Sequence, residues 1–315
     1  MQIKMKFIST AVSLLFSAIL VAAQQSTTTT TTATTDTAAD TTSNTTPLTT
    51  KYGETFKNAG GKMLIDKVNV YLIFYGDWSS PESQTDQSVF MNFVDRVSST
   101  SWFNTLKQYP NADGKTISGP ISLAAAVTDS GSHGLNLTDT NTHKQIVTDA
   151  VHSGYLDATN QLDNDGFYII LAAKNVQDSE FCNTHCGYNG YSDEFQYMYI
   201  GYPGSCTDSC VPSLNQADSP NNSTSIDAAI TIFSHEVQDI LTDPRDDAWI
   251  IKDGETKVEV GDFCSGQGVT ESQWFGSINQ LEGKNASYNL AIDDKKYLVQ
   301  TIYNPKSKTC VLSSE

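Results

Sequence analysis

The sequence predicts an α/β fold, a single layered domain with a mostly parallel sheet flanked by helices, on three observations. Short runs rich in β-branched and aromatic residues recur along the chain, led by residues 67–75, KVNVYLIFY. Segments with apolar residues at three- and four-residue steps alternate with them. One run, residues 167–173, is apolar at every position, as expected of a strand covered on both faces. Strands alternating with helices favour a layered arrangement, and no repeat of fixed period competes with it.

Taken in order, residues 67–75 are the expected first sheet strand, ending at Gly76-Asp77. Phe90, Phe93, Val94 and Val97 have helical spacing, and Trp102, Phe103 and Leu106 suggest a short second helix. Residues 121–127 supply a second strand. Ile146, Val147, Ala150 and Val151 then form a helix capped near Asn141 or Thr142, with His143 and His152 expected on its surface. Asp163-Asn164-Asp165-Gly166 is turn chemistry, since a calcium loop in that register would put Gln161 and Ala172 at ligand positions. Residues 167–173 read as the central strand, residues 196–202 as a strand at an edge, and residues 297–303 as the last strand-like segment.

The N-terminus has a different character. Lys4 and Lys6 precede an apolar run over residues 7–21, followed by Ala22 and Ala23, the pattern of a secretory signal peptide over residues 1–23. Residues 24–50 are mostly Thr with Ala, Asp and Ser, a composition that cannot build a core and reads as a disordered, O-glycosylated linker. The folded domain is expected over residues 51–315. No stretch reaches the length of a membrane span. The formal charge of −17, from 19 basic and 36 acidic residues, makes nucleic acid a poor partner. Nucleotide binding at Gly114-Lys115-Thr116 fails as well, because Tyr109 stands where a phosphate loop needs Gly.

Six cysteines, Cys182, Cys186, Cys206, Cys210, Cys264 and Cys310, follow a secretion signal, so three disulfides are expected in preference to a metal knuckle. Spacing alone leaves 15 pairings open; the expectation adopted is Cys264 with Cys310 and the middle four among themselves. Sequons at Asn44, Asn136, Asn221, Asn222 and Asn285 mark candidate glycosylated loops.

The segment from Thr224 to Cys264 carries the chemistry. Ile226, Ala229, Ile230, Phe233, Val237, Ile240 and Leu241 form one apolar stripe of a helix capped at Ser223, Thr224 or Ser225 and stopped before Pro244. On the opposite face, His235, Asp239 and Asp243 follow at four-residue steps. His-Glu-x-x-Asp has the ligand spacing of the zinc-peptidase helix, with Asp in place of the second His, and oxygen ligands suit zinc. The competing reading is a polar, solvated helix face. Ala228 and Ile232, on the His235 side, speak for a cleft wall.

With these residues in view, the chain resembles the phosphate-induced protein 1, or EXORDIUM-like, secreted family. The likeness rests on Val68 through Trp78, on Phe181-Cys182 through Cys186-Gly187, on Cys206 and Cys210, and on Lys296-Tyr297-Leu298 with Asn304-Pro305 through Cys310. It implies an extracellular or cell-wall glycoprotein without an assigned biochemical activity, acting in binding or signalling. The chain departs from the plant pattern at Ser234-His235-Glu236 and Thr242-Asp243-Pro244.

A looser similarity, by element order and one motif, is to the zincin metallopeptidases. It implies His235 and Asp239 as ligands of Zn2+ and Glu236 as the base that takes a proton from bound water. The third ligand stays open among Asp243, Glu259 and Asp262. Asp262 is preferred, because three ligands on successive turns of one straight helix span about 12 Å of rise, too far for bonds near 2 Å. The expected partner is then a peptide substrate, and otherwise an extracellular or cell-wall partner. A degenerate zincin, empty or holding calcium on its carboxylates, is the third reading. No Gly-x-Ser-x-Gly occurs to support a serine nucleophile.

Overall fold

A computed structural model describes residues 48–314 except 138, 157, 158, 255 and 267. The signal peptide, nearly all of the Thr-rich linker and the Asn44 sequon lie outside the described residues.

Strand β1 (Val68–Tyr75) is buried along its length except for Asn69, so both faces of the sheet are covered. Helix α1 (Pro81–Arg96) starts where Ser80 accepts the Ser83 N–H and Pro81 fits the first helical turn. Strand β2 (Ile121–Asp129) alternates between half-buried and exposed positions beyond its first residues, as one edge of the sheet should. Helix α2 (Thr140–His152) is capped by Asp139, which accepts the Thr142 N–H, slightly upstream of the expected Asn141 or Thr142. Strand β3 (Phe167–Ala172) is wholly buried and central. Strands β4 (Gly187–Tyr191) and β5 (Gln196–Ile200) form a hairpin, and helix α3 (Thr224–Thr242) follows.

The five strands lie in the order β2-β1-β3-β5-β4. The first four are mutually parallel and β4 runs antiparallel to β5. The mostly parallel sheet is therefore as expected, but the edge is not. Residues 196–200 sit inside the sheet, and β4, which the sequence reading did not contain, closes it. Residues 297–303 also differ from expectation. They divide between two hairpins outside the sheet, Leu290–Ile292 with Lys295–Tyr297 and Ile302–Asn304 with Thr309–Val311.

Phe233 of α3 meets Phe90 and Phe93 of α1 edge-on at ring separations of 5.7 and 5.9 Å. Its sheet side packs on β4 and β5. The opposite side is not solvated: every residue from Ser225 to Thr242 is buried. The C-terminal segment covers it, with Thr231 Oγ1 donating to the Leu298 carbonyl at 2.6 Å and the Gln300 N–H donating to Ser234 Oγ at 2.9 Å. The open-face reading of His235 and Asp239 is thus overturned by a cover recruited some sixty residues downstream.

His143 is corrected for a similar reason. It is buried, stacks on Tyr199 with ring centroids 4.2 Å apart and meets the Tyr188 hydroxyl through Nδ1. His152 is exposed, as expected.

Disulfides join Cys182 to Cys206, Cys186 to Cys210 and Cys264 to Cys310, the grouping expected. The first two clamp the loop before β4 to the segment after β5, and the third ties the stretch following α3 to the last hairpin. Among the described residues, no helix is long and apolar enough to cross a membrane.

Candidate metal centre

Helix α3 sets His235 and Asp239 one turn apart on one face, with Glu236 beside them, and donor atoms of all three lie within 4.8 Å of one another. A short 3-10 turn, Gly261–Cys264, brings Asp262 to the same point. Four residues that sequence spacing could only nominate are thereby gathered, and each is 2% exposed.

The separations have the scale of a coordination sphere. His235 Nε2 stands 3.4 Å from Asp239 Oδ2 and 3.8 Å from Asp262 Oδ1. Donors bound at about 2.0–2.2 Å to a tetrahedral ion lie roughly 3.3–3.6 Å apart. Asp262 Oδ1 is buried without a hydrogen-bond partner, while its other oxygen accepts the Glu259 N–H at 3.0 Å. Asp239 Oδ1 is likewise held, by the Gly261 N–H at 2.6 Å, leaving Oδ2 toward the imidazole.

Gln300 fixes the tautomer of His235. Its amide nitrogen donates to the Gly261 carbonyl at 2.6 Å, so its oxygen faces His235 Nδ1 at 3.1 Å and that nitrogen must carry the proton. The Nε2 lone pair then points at two carboxylate oxygens. Gln300 is itself pinned, its main-chain carbonyl taking the Trp102 indole N–H at 2.7 Å. Gly261 supplies room: a Cβ there would stand 2.9 Å from Asp239 Oδ2 and 3.0 Å from His235 Nδ1. Neither Gln300 nor Gly261 carries a motif that sequence reading could have used.

Burial dominates the electrostatics. It pushes the His235 pKa down to about 4, so the ring is neutral at physiological pH, the form that ligates metals. Burial, with repulsion from neighbouring carboxylates, holds Asp239 and Asp262 well above the usual carboxylate range. Glu259 is raised in the same way.

Asp243, the alternative third ligand, is placed elsewhere. Its Oδ1 accepts the N–H groups of Asp247 and Ala248, both at 2.7 Å, closing the turn after α3. It falls in a second acidic group with Asp246 and Glu259, where Lys257 pairs with Asp246.

Of the sequons, Asn136, Asn222 and Asn285 are exposed. Asn221 uses its side-chain amide internally, donating to Asp227 Oδ1 at 2.5 Å and to the Lys296 carbonyl at 2.7 Å, so a glycan there would cost both bonds.

Glu236 lies against the sheet edge: a Cβ on Gly187, the first residue of β4, would sit 3.5 Å from its Oε1. The fold thus sets one histidine, a neighbouring glutamate and an antiparallel edge strand side by side.

Comparison with known proteins covers most of the chain. The phosphate-induced protein 1 conserved region matches residues 56–313. Protein EXORDIUM-like 5 of Arabidopsis thaliana is 27% identical over 277 residues, covering 77% of this chain and 73% of its own. Protein EXORDIUM-like 3 of the same plant is 25% identical over 279 residues, covering 79% and 80%. No solved structure matches. The family match spans the sheet, α3 and all three disulfides, and the chain belongs to the phosphate-induced protein 1 family.

Proposed function

We propose that this is an extracellular EXORDIUM-like glycoprotein that acts in binding or signalling, and that its central helix holds one divalent cation, zinc by its donor set, through His235, Asp239 and Asp262. The observation that carries the metal is the Nε2 lone pair of His235 facing Asp239 Oδ2 and Asp262 Oδ1 at 3.4 and 3.8 Å with no donor between them. Such a cation would fasten the 261–264 turn to α3, and the Cys264–Cys310 disulfide would hold the turn from its other end. The three disulfides and the family relationship support an oxidising, extracellular setting.

A zinc-dependent, zincin-like hydrolase acting on a peptide is the second reading, favoured by the place of Glu236. That carboxylate follows His235 directly and adjoins β4, an edge strand beside which an extended chain could pair. Bound zinc would supply Lewis acidity and a more acidic water. Glu236 would accept a proton at its carboxylate. With His235 and Glu236 each 2% exposed, substrate entry needs the covering segment to move, so the binding reading stands first.

The test is the metal content of the mature protein purified without chelator, alongside His235→Ala. About one zinc per chain, lost in the variant, is expected; a well-folded parent without stoichiometric metal overturns the assignment. Glu236→Gln separates the two readings. If it keeps metal and abolishes peptide cleavage seen in the parent, the hydrolase displaces the binding protein.

A further inference from the structure

The sheet has a second feature that the metal centre does not use. From β1 the chain passes to β2 on one side and returns to β3 on the other, so the loops leaving the carboxyl ends of β1 and β3 diverge. Open parallel sheets bind ligands in the crevice at such a reversal. A cavity of about 540 Å³ opens there, lined by Asp77 and Trp78 after β1, Glu82 and Asp86 of α1, Lys174 after β3, and Tyr202. That volume falls within the roughly 300–1,000 Å³ of small-molecule sites.

The walls are fixed by specific contacts. Asn175 Oδ1 accepts the Asp77 N–H at 2.9 Å, joining the two loops. Gly76 has φ of 102°, and a Cβ there would stand 2.7 Å from that same Asn175 oxygen, so this junction requires glycine. The Trp78 indole donates to the Tyr75 carbonyl at 3.3 Å and meets Phe74 edge-on. Asp86 accepts from the Ser223 hydroxyl at 2.9 Å, which ties the cavity to the cap of α3.

Its chemistry excludes the anions that such crevices often hold. Three acidic residues and one lysine line it, and Asp77 Oδ1 already accepts the Ser79 N–H at 3.0 Å and the Ser79 hydroxyl at 2.6 Å, leaving Oδ2 for a ligand. Glu82 occupies the first turn of α1 and Ser80 accepts the Ser83 N–H, so a carboxylate and a cap already stand at the positive end of the helix. The carboxylates do not form a single-ion cage either: among the described residues, no three metal-type donors in this cavity converge. What remains are separated acceptors, one ammonium donor and two aromatic side chains around a space larger than an ion. Many hydroxyls on a scaffold with apolar C–H faces answer all of these.

We propose that the crevice between the carboxyl ends of β1 and β3 binds an uncharged or amine-bearing oligosaccharide, with Asp77, Glu82 and Asp86 accepting from its hydroxyl or ammonium groups. The proposal involves no residue of the His235 cluster and stands whether or not a metal is bound.

Calorimetric titration of the mature protein with cello- and manno-trisaccharides, a chitosan trimer and an acidic trigalacturonide tests it. Binding to at least one neutral or amino trimer is expected, with the trigalacturonide excluded. Glu82→Gln and Asp86→Asn should each weaken it at least tenfold; Glu82 is exposed, so its variant keeps the test sound if Asp86→Asn perturbs folding. No binding of any neutral or amino trimer, preference for the acidic one, or affinity undiminished in Glu82→Gln overturns the proposal.

Discussion

Replacing Gln300 by Leu probes how the histidine is positioned without touching a proposed ligand. The change keeps much of the side-chain volume but removes the acceptor 3.1 Å from His235 Nδ1 and the donor 2.6 Å from the Gly261 carbonyl. Two buried polar groups lose their partners, each at about 1–3 kcal/mol, so about 2–6 kcal/mol of folding stability is expected to disappear. With Nδ1–H no longer anchored, the neutral ring can exchange tautomers and rotate, and outer-shell losses of this kind cost roughly 10–100-fold in metal affinity. Denaturant unfolding in chelator measures the first quantity and competition against a zinc chelator the second. Gln300→Glu, which restores an acceptor for Nδ1–H, should recover much of the affinity. Zinc affinity in Gln300→Leu equal to that of the parent would refute the positioning argument, even if stability falls.

Other consequences follow from the same geometry. Asp262→Asn, removing charge from a crowded buried group, should raise the stability of the metal-free protein while lowering zinc affinity at least tenfold, as paired melts with and without zinc would reveal. Ser223→Ala removes the α3 cap and a donor to Asp86, and should cost about 1 kcal/mol in denaturant unfolding. Replacing Cys264 and Cys310 together by Ala should cost about 2–4 kcal/mol and also weaken zinc, since the 261–264 turn loses its tether. Burial raises Asp227 and Asp243 from 3.8 to about 6, so the folded state takes up their protons before the unfolded chain does. These two groups should therefore add stability to the metal-free protein as pH falls from about 6.5 to 4.5, by at most about 3 kcal/mol each, and lose it as pH rises again through 6, while His235, lowered from 6.5 to about 4, opposes them over the same interval. The zinc-loaded protein should show the reverse, because protons compete for its ligands.

Much of this architecture was legible because burial on two faces leaves a continuous apolar run: β1 and β3 announce themselves in KVNVYLIFY and FYIILAA. Strand β4, GYNGY, does not. Two glycines and an asparagine depress its strand tendency, and it exists through antiparallel pairing with β5, from Gly187 opposite Ile200 to Tyr191 opposite Gln196. Helix α3 was legible from its stripe, its Ser223 cap and Pro244, yet periodicity records which face is polar and not what covers that face. The cover comes from residues 298–301 and 261–264, contacts of long sequence separation that no local pattern encodes. His235, Glu236 and Asp239 could be found by spacing. Asp262 needed an argument about reach, and Gln300, an isolated glutamine with every polar atom engaged, offered no signal at all.

The charge arrangement argues for an ion over a proton at His235. Glu236, Asp239, Asp243, Glu259 and Asp262 are all buried in a chain of net charge −17. Lys257 and Lys252 temper Glu259 and Asp243, whereas burial and neighbouring carboxylates dominate at Asp239 and Asp262. Burying such carboxylates ionised and uncompensated costs several kcal/mol each, so protons or a cation must offset them. A proton shared between His235 Nε2 and either carboxylate would draw the pair to roughly 2.7–3.2 Å. The observed 3.4 and 3.8 Å are too long for that bond and close to the donor spacing around a tetrahedral ion. Gly261, where a Cβ would crowd both His235 and Asp239, keeps this gap from being filled by protein. The proposed zinc would fit this space, and a crystal grown in zinc should show the ion within about 2.0–2.2 Å of His235 Nε2, Asp239 Oδ2 and Asp262 Oδ1.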